Sequence, residues 1–115
     1  MDIQGVQAIC RELNGTTEDV KWGNHLTFNV CEKMYTIVGV NEGSPNTLCF
    51  KSTAEQAEQL IQLDGLVRAP YLGRYHWVLL EHLDALGPPV LAEYIQDSYR
   101  LVVSKLTKKQ RAGLV

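Results

Sequence analysis

The chain has 115 residues, enough for one domain burying roughly two-thirds of its unfolded surface and too few for a second core. Hydrophobic residues make up 45% and charged residues 21%, which excludes disordered, collagen-like and low-complexity classes. The formal net charge of -2 argues against a strongly cationic nucleic-acid binder.

That average conceals an asymmetry. Met1 to Leu66 carries four Lys and Arg against nine Asp and Glu, whereas Val67 to Val115 carries seven against four. The difference matters only if the basic residues converge on one face. No apolar run approaches the ~20 residues of a membrane span, and MDIQGVQAICREL is an amphipathic pattern rather than a secretory leader, so a cytoplasmic location is expected. Cys10, Cys31 and Cys49 are odd in number and sit in apolar company, which suits small buried hydrophobes in a reducing compartment.

In chain order, Asp2 is an N-cap for a short helix whose stripe is Ile3, Val6, Cys10 and Leu13, with Asn14-Gly15 as its stop. Val20 to Trp22 reads as a short strand and Gly23-Asn24 as a turn. His25 to Val30 then alternates Leu26, Phe28 and Val30 against His25, Thr27 and Asn29, the pattern of a half-buried strand. Met34 to Val40, rich in β-branched and aromatic residues and closely linked to the preceding strand, completes an antiparallel hairpin.

NEGSPN at 41–46 is a turn, and Thr47 to Lys51 a further strand. Ser52 with Glu55 forms a capping box for a helix whose apolar face is Ala54, Ala57, Leu60 and Ile61, and Asp64-Gly65 ends it. The chain crosses from Leu66 to Tyr75 through the Ala69-Pro70 break, then enters a strand over His76 to His82. Gly87-Pro88-Pro89 opens the longest helix, with Leu91, Tyr94, Ile95, Ser98, Tyr99, Val102 and Leu106 on one face and an Asp97–Arg100 pair on the other. The order gives an α+β fold, an antiparallel β-sheet meander packed by helices on one face. Lys105 to Arg111, KLTKKQR, leaves the core as a basic tail from about residue 105.

Three runs carry a resemblance: KMYTIVGV at 33–40, APYLGRYHW at 69–77 and SYRLVVSKLTKKQR at 98–111. In this order and spacing they are similar to the MmcQ/YjbR family of small bacterial proteins, over nearly the whole chain. The resemblance implies a CyaY/frataxin-like fold and a role in DNA binding through a pair of winged elements. Thr107 stands where a proline is common in that family, a departure expected to loosen the end of the helix.

DNA binding draws on Lys and Arg meeting phosphates, with aromatic side chains adding stacking or groove contacts. Arg68, Arg74 and His76 supply such charge from one loop, and Lys105, Lys108, Lys109 and Arg111 from the tail, with Lys33 as a hairpin contact. The bland alternatives are a basic helix end complementing its dipole and a Trp77 that alternates with Leu79 as core. The slightly acidic whole predicts weak, salt-sensitive, sequence-tolerant binding to double-stranded DNA by a monomer.

Other chemistry finds little footing. His76 and His82, six apart on one strand, would stand roughly 20 Å apart and share no metal. No cysteine has a His or Lys at an activating spacing, and NEGSPN lacks the glycines of a phosphate loop, so neither enzymatic activity nor a cofactor is expected. The alternative to DNA is a protein-interaction or small-ligand module using the exposed sheet face and the 68–75 loop. Geometry separates the two. DNA requires Arg68, Arg74 and the tail lysines on one surface, and a ligand requires Tyr71, Tyr75 and His76 around a concavity.

Overall fold

A computed structural model of the chain describes residues 1–114. Helix α1 covers Ile3–Arg11, capped by Asp2, whose carboxylate accepts the Gly5 amide. Strands β1 (Thr16–Lys21), β2 (His25–Val30), β3 (Lys33–Gly39) and β4 (Thr47–Lys51) follow as an antiparallel meander. Helix α2 (Ala54–Leu60) leads to β5 (Leu66–Arg68), and a short 3-10 turn at Gly73–Tyr75 precedes β6 (Trp77–Leu80). Helix α3 spans Pro88–Val103 and helix α4 Lys108–Ala112. The six-stranded sheet has the order β1-β2-β3-β4-β6-β5, so β6 inserts between β4 and the edge strand β5.

The α+β architecture with helices on one face is the one expected, with several local differences. The first strand starts at Thr16, well before Val20, and Trp22 lies in the turn with a left-handed backbone, φ 54. Leu66–Arg68 is a strand rather than a crossing segment. Thr53, not Ser52, caps α2 and forms the box with Gln56, because the buried Ser52 hydroxyl is already committed to the His76 carbonyl at 2.7 Å. The strand expected over His76 to His82 is confined to Trp77–Leu80. His76 is left-handed, φ 69, and His82 is exposed beyond the strand.

The sheet is apolar on both sides. On the helix side, Phe28, Val38, Leu48, Phe50, Val78 and Leu80 meet Val6 and Cys10 of α1, Ala57 and Leu60 of α2, and Leu91, Ile95 and Val102 of α3. Each of the Val, Leu, Ile and Phe side chains contributes about 1.5–3 kcal/mol on burial. The opposite side carries a smaller cluster in which Ile37, Ala69 and Trp77 are packed by Met34, Cys49, Leu72 and Leu79. The segment after β5 folds back over this helix-free side. Its return is tight, since a Cβ on Gly73 would lie 3.1 Å from that of Arg68.

β2 and β3 join through Cys31-Glu32, both with positive φ (48 and 65), as the two-residue hairpin of a right-twisted pair demands. This hairpin defines one end of the sheet. Lys51 and Trp77 pair there, and β5 finishes there at Arg68. β1 and β2 meet at the opposite end, where Lys21 pairs His25 and Gly39 pairs Thr47.

Candidate functional site

The strand register sorts the charges. Lys33 opens β3 at the hairpin end, Lys51 closes β4 there, and Arg74 precedes β6 there. Helix α3 starts at the far end and finishes at the hairpin end, because the buried Ser98 hydroxyl accepts the Lys51 amide at 2.9 Å and donates to the Tyr35 carbonyl at 2.6 Å. Arg100 and Lys105 are therefore carried to the same end.

The tail departs from expectation. Lys108–Ala112 is helical, and Thr107 caps it. The Thr107 hydroxyl accepts the Gln110 amide at 3.1 Å, and the Gln110 side chain accepts the Thr107 amide at 3.0 Å. Thr107 thus orders the segment rather than loosening it. Leu114 then folds back so closely on Gly15 (φ 75) that a Cβ there would lie 2.3 Å from the leucine methyl and 3.7 Å from one of Val30. Lys108, Lys109 and Arg111 are exposed and held beside the start of β1 and the end of β2.

Of the eleven Lys and Arg, only Lys21 belongs to the opposite end of the sheet. Asp2, Glu42, Asp64, Glu81 and Asp84 are gathered there instead, with the Asp84 carboxylate 2.8 Å from the Met1 amine. The cations are thus concentrated toward the hairpin end, where Glu32 of the hairpin, Glu58 and Asp97 also lie, while Lys21 is the one Lys or Arg of the described residues at the other end.

Not every basic residue is free at that end. Arg68 is ion-paired with Glu58 of α2, Arg100 with Asp97, and Arg11 with Glu18. The Arg11 guanidinium, hydrogen-bonded to Glu18, holds that carboxyl below the usual range. Arg74 lies over the Tyr75 ring at 4.8 Å. His76 is half-buried, with its carbonyl taken by the amide and hydroxyl of Ser52. The exposed set outside the four ion pairs of the described residues is Lys33, Arg74, Lys105, Lys108, Lys109 and Arg111.

A second feature occupies the helix-free side of the sheet, a groove of about 610 Å³. Its floor includes Ile37, Cys49 and Leu79, and its walls are the turn carrying Trp22 and His25 and the loop carrying Pro70, Tyr71 and Leu72. Tyr71 lines it as the sequence suggested, while Tyr75 and His76 do not. Sequence reasoning missed Trp22 and His25 here. The signal was the unbroken apolar runs MYTIV, LCF and WVLL, which mark strands with both faces covered. Among the described residues no group of three His, Cys, Asp or Glu is placed to hold a metal, and no helix is long and apolar enough to cross a membrane.

The model of the YjbR family matches residues 11–101. The chain belongs to the YjbR family. Two solved structures resemble this YjbR chain. A Deinococcus radiodurans protein with a DUF419 domain shares 26% identity with a TM-score of 0.87, covering 97% of this chain and 86% of its own. A Pseudomonas syringae protein shares 21% identity with a TM-score of 0.73, covering 88% of this chain and 98% of its own, and shows the same fold. No curated protein matches. The family span contains the whole sheet and the groove but stops at residue 101, before Lys105, Lys108, Lys109 and Arg111.

Proposed function

We propose that this YjbR chain is a non-enzymatic, cytoplasmic, monomeric protein that binds double-stranded DNA through the hairpin end of its sheet. The supporting observation is the concentration of Lys and Arg toward the hairpin end of the sheet. Lys33 and Arg74, at the hairpin ends of the interior strands β3 and β6, share that end with Lys105, Lys108, Lys109 and Arg111 of the C-terminal segment, with Glu32 of the hairpin standing among them. The chain's two basic groups, far apart in sequence, thereby act on one duplex. Arg68 is a supporting residue in this reading, since Glu58 already engages it. His76 contributes less than its neighbours, because it is half-buried where Arg74 is exposed.

The net charge of -2 limits affinity, so binding rests on a few phosphates. With about four contacts, affinity falls by about 10²-fold between about 50 and about 200 mM salt. Fluorescence anisotropy of a labelled random duplex measures this. Saturable binding that falls with salt and weakens in a Lys108→Ala/Lys109→Ala variant supports the reading. Absence of binding at high micromolar protein in low salt overturns it.

A further inference from the structure

The groove on the helix-free side is separate from the basic end and has its own chemistry. At about 610 Å³ it falls within the range of small-molecule sites. Trp22 and Tyr71 stand on opposite walls, 67% and 96% exposed, and contribute little to either apolar cluster. Both have left-handed backbones, φ 54 and 64, a conformation that costs a non-glycine residue about 1–2 kcal/mol. The fold thus holds two large aromatic side chains in water on backbones that disfavour them.

The floor between them is bare at Gly39. A Cβ there would lie 2.4 Å from the Thr47 hydroxyl oxygen and 3.7 Å from His25 Nε2, so only glycine leaves this part of the groove open. The His25 ring meets Trp22 edge-on, with centroids 5.5 Å apart. Its Nδ1 is buried with no hydrogen-bond partner. A buried lone pair is tolerated better than a buried orphan N–H, so the proton belongs on Nε2. That nitrogen stands beside Gly39 as a donor for whatever enters. No Lys, Arg, Asp or Glu lines the groove, so a charged guest would lose its water with no counter-ion. Burial keeps the Cys49 thiol neutral as well, pushed up to about 12.

We infer that the groove binds a flat, uncharged aromatic molecule carrying one hydrogen-bond acceptor, held between Trp22 and Tyr71 with its acceptor on His25 Nε2. The aromatic walls select the ring, the absence of charged lining selects neutrality, and the His25 donor, with the Thr47 hydroxyl beside it at Gly39, selects the acceptor. This assignment stands independently of DNA binding.

The test is titration with the naphthyl ketone Prodan, a neutral ring system with one carbonyl, whose emission shifts to the blue in apolar surroundings. Expected are a saturable one-to-one blue shift and a weakening of about fivefold in Tyr71→Ala, a side chain too exposed to affect folding. His25→Phe, which keeps a ring and removes the donor, weakens Prodan by about tenfold and leaves the affinity for 2-methylnaphthalene, measured by competition, unchanged. Two results overturn the inference. One is a blue shift that does not saturate or is untouched by Tyr71→Ala. The other is a shift that disappears as the protein dimerises in size-exclusion chromatography, which would make the groove a contact between copies.

Discussion

The Lys51 amide donates to the Ser98 hydroxyl at 2.9 Å, tying the last residue of β4 to the middle of α3. Because the same hydroxyl donates to the Tyr35 carbonyl, one fully buried side chain bonds α3 to two strands just before the chain enters its basic C-terminal segment. Ser98→Ala strands an amide and weakens the satisfaction of a carbonyl, at a cost of about 1–3 kcal/mol. Urea denaturation should show a lower midpoint at unchanged slope. An unchanged midpoint would mean that water replaces the hydroxyl.

Thr107→Ala removes one half of the reciprocal cap on α4. The expected loss is about 1 kcal/mol, confined to α4 because that helix buries no residue. Hydrogen exchange should speed up at the amides of residues 110–113 while the amides of β3 and β4 keep their protection. Equal acceleration in the sheet would show that α4 is coupled to the core.

How far the fold was legible follows from where its signals lie. Helix α1, strands β2 to β4 and helix α3 announce themselves by stripe or alternation, since burial of one face imposes its period. The edge strand β1 begins with Thr16, Thr17, Glu18 and Asp19, whose polarity hides a strand that has β2 on one side only. Leu66–Arg68 is too short to show a period. Two overlapping boxes, Ser52 with Glu55 and Thr53 with Gln56, were equally readable. The tertiary bond from Ser52 to His76, invisible in sequence, decides between them. The sign of the tail was plain, but its position beside Lys33 depends on the direction of α3 and the return of Leu114 onto Gly15.

The Arg11–Glu18 pair predicts a pH signature. Glu18 has its folded pKa lowered, first by the Arg11 hydrogen bond, against partial desolvation. The stability it contributes is present above the unfolded Glu value of about 4.3 and is lost as pH falls through the lower folded value. Glu18→Gln should cost about 0.5 kcal/mol at pH 7, a modest figure because water screens the pair. Thermal melts of the two proteins should converge as the pH drops below the ordinary Glu range. A gap that widens in acid would contradict the pairing.

The three thiols are free and should differ in reactivity. Burial pushes Cys10 and Cys49 up to about 12, so neither offers thiolate at pH 8. Cys31 lies in the half-exposed hairpin turn. Mass spectrometry after brief treatment with iodoacetamide should find label on Cys31 first, and on Cys10 and Cys49 only in denaturant. Early labelling of Cys49 would show that the groove floor is open to solvent and ionised.

The claim that DNA meets the hairpin end is tested most directly by amide chemical-shift mapping of the labelled protein during titration with a short duplex at low salt. The account predicts shifts at Lys33, Lys51, Arg74, Lys105 and residues 108–111, with Asp2, Glu42, Asp64 and Asp84 unmoved. Shifts centred on the opposite end, or none anywhere at saturating duplex, would contradict it.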